Sequence, residues 1–184
     1  KSPWFNLYNG RSDYGESETM TALMSSLSDG RQAAFGTSSL GVPYGRLRTY
    51  IDPWTSNNPT WARILNASYR PEAGTVVVLS AAEVFLSRVE AADRGWTSEG
   101  GSINTLYQQG INASFAQWGL AAPPAGYFTQ ASVAIPIAPG TAANIKNIAI
   151  QSFVAGYPDG QRGWNIWRRT GWPVLVPAPD ATNT

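Results

Sequence analysis

Between Tyr157 and Pro173 the chain carries a run whose punctuation leaves it little conformational choice: Tyr-Pro-Asp-Gly-Gln-Arg-Gly-Trp-Asn-Ile-Trp-Arg-Arg-Thr-Gly-Trp-Pro. Pro158-Asp159-Gly160 is a turn signal, and Asp159 is placed to accept from the open N–H groups of a following helix. Gly171 supplies a left-handed stop, and Pro173 prevents the helix from resuming. Between these marks Trp164 and Trp167 fall three apart on one helical face, with Arg168 four after Trp164. The run therefore reads as one short helix with both tryptophans inward and Arg168 and Arg169 close by.

The same logic finds three longer helices before it. Ser80 and Glu83 form a capping box, and Leu79 with Val84 a hydrophobic staple. Ala82, Phe85, Leu86, Val89 and Ala92 then make an apolar stripe, with Ser87, Arg88, Asp93 and Arg94 on the wet side and Gly95 as the stop. A second helix runs from about Ser102 to Trp118, with Ile103, Leu106, Tyr107, Ile111, Phe115 and Trp118 on one face. Its Gly110 and Ala113 allow a neighbour to approach closely. The short Gly-containing link between these two predicts an antiparallel hairpin. A third helix spans roughly Ala142 to Ala155, with Ile145, Ile148, Ala149 and Phe153 inward. Residues 120–140, with prolines at 123, 124, 136 and 139, read as loop.

The first part of the chain is less regular. Residues 1–15 are aromatic and turn-rich, with no regular element expected. Met20, Leu23, Met24 and Leu27, at offsets 0, 3, 4 and 7, predict an amphipathic helix from Ser17 to Asp29-Gly30. Residues 36–75 read as a long irregular stretch, and Val76–Leu79 as a brief buried strand. The fold class expected is mostly α: helical hairpins with long irregular loops. The organisation is a single body with a loop-rich part carrying one helix (1–78), a helical core (79–171) and a Pro-rich tail (172–184).

Composition excludes several functions. Only 14% of the 184 residues are charged and the formal net charge is +1, so the clustered Lys and Arg that displace counterions from nucleic acid are missing. A polybasic patch for a membrane surface is missing too. With no Cys and no His, disulfides, thiolate zinc sites and Ser-His or Cys-His catalysis are all excluded. Eight Trp and eight Tyr, among many Asn, Ser and Gly, suit a neutral, hydroxyl-rich ligand, although core packing uses the same residues.

Three stretches together resemble the C-terminal portion of the SusD/RagB family of Bacteroidetes surface lipoproteins. Leu79 to Trp96 (LSAAEVFLSRVEAADRGW) is similar to the family's helix of pattern AEV, hydrophobic residues, AEAA-x-RGW. Tyr107 to Gly119 (YQQGINASFAQWG) is similar to its Y-x-x-GI-x-AS and QWG helix. Tyr157 to Pro173 is similar to its DGxEAWxxWRRTGYP run. Order and spacing match over about residues 79–177. Ser17 to Arg31 resembles the family's SE-x-M and L-x-DPRL stretch more loosely, with Gly30 and Gln32 in place of Pro and Leu.

The resemblance implies a mostly helical, tetratricopeptide-containing protein with no cofactor. It also implies a lipid anchor at the extracellular face of the bacterial outer membrane, and a SusC-like TonB-dependent transporter as partner. Nutrient, usually glycan, would be bound without being turned over. No signal peptide opens the chain at Lys1-Ser2-Pro3-Trp4, and the family's N-terminal portion, with its lipid-bearing Cys, has no counterpart in these residues. The chain is therefore expected to be a C-terminal fragment whose partners include the missing portion.

Sugar sites use aromatic faces against the flat C–H patches of a pyranose, with amides nearby for its hydroxyls. The stretch from Tyr50 to Trp61 has that inventory on backbone stiffened by Pro53 and Pro59, so Tyr50, Trp54, Asn57 and Trp61 are the candidate ligand residues. The alternative is that Trp54 and Trp61 only pin the loop. Glu83 and Glu90 could serve as the carboxylate pair of a glycosidase. Glu83 already has a capping role, however, and Glu90 is expected to meet Arg168 or Arg169, which makes the Glu83, Glu90, Trp164, Trp167, Arg168 and Arg169 set structural. Asp29, Asp52 and Asn57 form no twelve-residue calcium loop, so no metal site is assigned. The competing functions are a carbohydrate-active helical hydrolase or lyase, and a helical scaffold that binds only protein.

Overall fold

The computed structural model describes residues 1–98, 102–135 and 139–180. The chain divides into two compact units, Lys1–Val76 with Leu175–Thr184, and Val77–Val174. Among the described residues there is no strand, and no helix is long and apolar enough to cross a membrane.

The first unit contains α1 (Pro3–Asn6), α2 (Glu18–Ser26), α3 (Gln32–Phe35) and α4 (Arg48–Asn57). Helix α2 is the one anticipated: the Ser17 hydroxyl accepts from Met20 N at 3.2 Å. Met20, Met24 and Leu27 are buried, as the 0, 4, 7 spacing requires. Phe35, Ala62 and Leu65 complete the core. Isolated bridges Gly15 to Arg63, Ser17 to Val42 and Gly36 to Ile64 stitch the backbone around it. Asp29 and Arg31 form a buried ion pair at 2.6 Å.

This unit holds more helix than the sequence announces. Residues 1–15 include α1, where Pro3 sits at the first turn and its missing N–H costs nothing. The stretch read as loop at 48–57 is α4, with Pro53 inside it. Pro53 removes the hydrogen bond to the Thr49 carbonyl. Side chains reinforce the rest: Thr55 Oγ1 donates to Ile51 O at 3.0 Å, Ser56 Oγ to Asp52 O at 2.8 Å, and Asn58 Nδ2 to Trp54 O at 2.8 Å. Arg48 and Asp52 add an i, i+4 pair at 3.0 Å.

The second unit is built from α5 (Ala81–Asp93), α6 (Ile103–Gln117), α7 (Ala142–Ala155) and α8 (Gly160–Thr170). Ser80 caps α5 by accepting from Glu83 N at 3.1 Å. Leu86 lies seven residues before the end of α5, and Gly110 lies seven after the start of α6. A Cβ at Gly110 would stand 2.9 Å from Leu86 Cγ, so the two helices meet there as an antiparallel pair at near-backbone distance. Helix α7 is buried on most sides, with Ile148, Ala149, Ile150 and Val154 in the core. Its amides hold the neighbouring loop: Asn147 Nδ2 donates to Ala134 O at 2.6 Å, and Gln151 Nε2 to Tyr127 OH at 2.9 Å. In α8 the Asp159 carboxylate accepts from Gln161 N and Arg162 N, and Gly171 closes the helix at φ 75°.

Several expectations need correction. Val76–Leu79 is coil and exposed, with Val78 at 81%; an apolar run of four has no periodicity to say which side is buried. Leu79 and Val84, offered as a staple, both remain exposed. Asp93 is buried rather than wet, because Asn144 Nδ2 donates to its Oδ1 at 2.6 Å. Trp164 is exposed and Trp167 half-buried, so the tryptophans of α8 do not point inward. The helix instead lays Gly163 against the Phe153 ring of α7 and turns Arg162 and Arg169 to Glu83 and Glu90 of α5. Part of the expected α5–α6 link (99–101), Pro136 and the tail end (181–184) lie outside the described residues.

Candidate functional site

Helix α4 brings together three of the four candidate ligand residues. At 100° per residue, positions 50, 54 and 57 share one face within about 60°, spread over roughly 10 Å of helix axis. Tyr50 is 45% exposed, Trp54 half-buried and Asn57 exposed. The Arg46 guanidinium lies 5.1 Å from the centre of the Tyr50 ring. The result is a ridge with an aromatic ring, a second ring one turn on, and an amide at its end. Such a ridge offers apolar faces to sugar C–H groups and a hydrogen-bonding group for a hydroxyl.

Trp61 is set apart from that ridge. It is 8% exposed, and the Arg63 guanidinium covers its ring at 3.7 Å. Arg63 is held there by the Pro59 carbonyl at 3.0 Å and the Trp61 carbonyl at 2.8 Å. Trp61 borders an open groove of about 620 Å³ on the other side of α4, lined by Ile51, Asp52, Thr55, Arg48, Asp13 and Val42 among others. The groove's charges are already paired: Arg48 with Asp52 at 3.0 Å, Arg11 with Asp13, and Arg46 with Asp180 at 3.2 Å.

Behind the groove wall lies a carboxyl that the sequence reading passed over. Glu16 is 1% exposed, between Gly15, which lines the groove, and Ser17. Its backbone N–H donates to Ala62 O at 2.9 Å and its carbonyl accepts from Val42 N at 2.8 Å. Gln32 Nε2 donates to Oε2 at 2.8 Å, while Oε1 is buried without a partner. Burial pushes the Glu16 carboxyl up to about 7, and the Gln32 hydrogen bond opposes this only in part. Polarity at position 16 gives no hint of this, because the burial is made by distant segments.

In the second unit, the candidate structural residues form an ion-pair network around a crevice of about 200 Å³ between α5, α7 and α8. Arg162 Nη1 pairs with Glu83 at 2.8 Å, and Arg162 Nη2 donates to the Val78 carbonyl. Glu90 is bound by Arg94 Nε at 2.9 Å and by Arg169. The expected contact between Glu90 and the α8 arginines thus falls to Arg169. Arg168 instead lies 5.9 Å from the Trp164 ring, and Trp164 stacks on Trp167 at 5.1 Å with 28° between planes. Both glutamates are bound by arginine. Asp29 and Asp52 are likewise taken up by Arg31 and Arg48. Among the described residues there is no cluster of three or more acidic side chains that could hold a metal ion.

A family described as SusD-like, "Starch-binding associating with outer membrane", matches residues 1–184. No curated protein matches the chain. Among solved structures, a chitin-binding SusD homologue from Flavobacterium johnsoniae is 29% identical with a TM-score of 0.73, over 89% of this chain and 38% of that one. SusD homologues from Bacteroides uniformis and Bacteroides ovatus are each 22% identical with a TM-score of 0.77. They cover 95% and 96% of this chain, and 41% and 42% of theirs. The chain thus spans about two fifths of the length of the structures it matches. Its fold is mostly helical, as expected from the sequence, and matches part of the fold of these SusD homologues. The chain belongs to the SusD-like family.

Proposed function

We propose that this chain is part of a glycan-binding protein of the bacterial cell surface, and that Tyr50, Trp54 and Asn57 contact the sugar. The observation that carries this reading is the shared face of α4, where an exposed Tyr, a half-buried Trp and an exposed Asn follow at i, i+4 and i+7. Trp61 lies apart from these residues, in the wall of the groove on the other side of α4. The family description names starch binding, and one relative is described as chitin-binding; both are neutral glycans, which suits a ridge made of two aromatic rings and an amide.

The role is binding rather than turnover. No pair of unengaged carboxylates stands in the second-unit crevice, where Glu83 and Glu90 are each held by arginine. Association with the outer membrane is in the family description. We extend it to a lipid-anchored position beside a SusC-like TonB-dependent transporter, and to assembly with an N-terminal portion like that of the longer relatives. Isothermal titration of the protein with starch-derived and chitin-derived oligosaccharides, with Tyr50→Ala and Trp54→Ala beside the wild type, tests the binding role. Co-purification with a transporter tests the partnership.

A further inference from the structure

We infer that residues 175–180 form a strap that sets the position of the α4 ridge, with Asp180 as its positioning residue; this rests on the reading of that ridge as a sugar platform. Helix α4 has little to hold it on its own. None of its residues is buried, its N-cap Leu47 offers no side-chain acceptor, and Pro53 interrupts its hydrogen bonds. A ten-residue helix of this kind is marginal without outside contacts.

The strap supplies those contacts over four consecutive residues. Tyr44 OH donates to the Val176 carbonyl. Asp180 N donates to Gly45 O at 3.1 Å. Asp180 Oδ2 accepts from Leu47 N at 2.9 Å, which satisfies one of the open N–H groups at the start of α4. Asp180 Oδ1 accepts from Arg46 Nη1 at 3.2 Å, and Arg46 in turn lies over Tyr50. Gly45 is at φ +65°, and a Cβ there would stand 2.5 Å from the Cβ of Ala178, so the strap's close approach requires glycine. One carboxylate therefore both starts the helix and holds the cation that covers its first aromatic ring. Bonding from Leu47 N–H and the Arg46 charge keep that carboxyl below its ordinary value.

The test uses the full chain with Asp180→Ala and Asp180→Asn, read by amide hydrogen exchange and by titration with a maltooligosaccharide and a chitooligosaccharide. Asp180→Ala is expected to speed exchange at the Leu47–Ile51 amides at least tenfold while leaving α5 to α7 unchanged. It is also expected to weaken oligosaccharide binding about fivefold or more. Asp180→Asn keeps an acceptor for Leu47 but loses the charge on Arg46. Exchange should then stay near wild type, and affinity should fall while losing the salt dependence that an exposed ion pair confers. Unchanged exchange at Leu47 in Asp180→Ala overturns the strap. Faster exchange with undiminished affinity overturns the positioning role. Absence of any binding by the wild type overturns the sugar reading itself.

Discussion

Arg169 of α8 donates to Glu90 of α5, 79 positions earlier, where the carboxylate side chain is only 8% exposed. Arg94, the residue that follows α5, binds the same oxygen. Glu90 therefore sits in the core only because two guanidinium groups compensate it, and α8 is fastened to α5 through that charge.

Arg169→Ala is expected to destabilise the fold by about 2 kcal/mol. That is below the range for stripping a fully buried pair, because Arg94 remains and Arg169 is itself half-exposed. Arg168→Ala, at an exposed position beside Trp164, should cost no more than about 0.5 kcal/mol. Urea unfolding of the two variants checks the contrast; equal losses would refute the assignment of the ion pair to Arg169.

Glu16 makes stability depend on pH. Its carboxyl is raised from 4.5 to about 7, so the folded state holds the proton more tightly than the unfolded chain. The associated stability is fully present below about pH 4.5 and is lost as pH rises to about 7, a fall of roughly 3 kcal/mol for a shift of this size. Glu16→Gln should remove that fall, matching the wild type near pH 4 and exceeding it at pH 8. Denaturant midpoints measured across that range test the sign directly.

Gly110 tests the hairpin of the second unit. A Cβ there would be 2.9 Å from Leu86 Cγ and 3.2 Å from Phe85 Cβ. Gly110→Val should push α5 and α6 apart and cost about 2 kcal/mol despite removing a helical glycine. Thermal unfolding is the measurement. Gly171 offers a contrast without crowding: nothing lies within 4 Å of a Cβ there, yet φ is +75°. Gly171→Ala should cost about 1 kcal/mol from backbone strain alone.

Helices α5 to α8 were legible in the sequence because their signals are local. Ser80, Thr141 and Asp159 cap from adjacent positions, and Gly171 stops α8 where the chain itself requires it. Helix α4 was not legible because the acceptor for the Leu47 N–H at its start is Asp180, 133 positions away, and because Pro53 reads as a breaker. The spacing of Trp164 and Trp167 correctly put them side by side, but spacing cannot say which face is inward. That was decided by Glu83 and Glu90, which drew the arginine face of α8 toward α5. The four ligand candidates were likewise named as residue types in a loop; only the helix separates the ridge of Tyr50, Trp54 and Asn57 from the packed ring of Trp61.

The central claim is that the α4 ridge binds neutral glycan, and titration of wild type against Tyr50→Ala and Trp54→Ala tests it most directly. The account predicts measurable binding of a starch-derived or chitin-derived oligosaccharide, weakened at least tenfold by each substitution, with both variants still folded and stability changed by no more than about 0.5 kcal/mol at the exposed Tyr50. Binding of equal strength in all three proteins, or none to either oligosaccharide in the wild type, would contradict it.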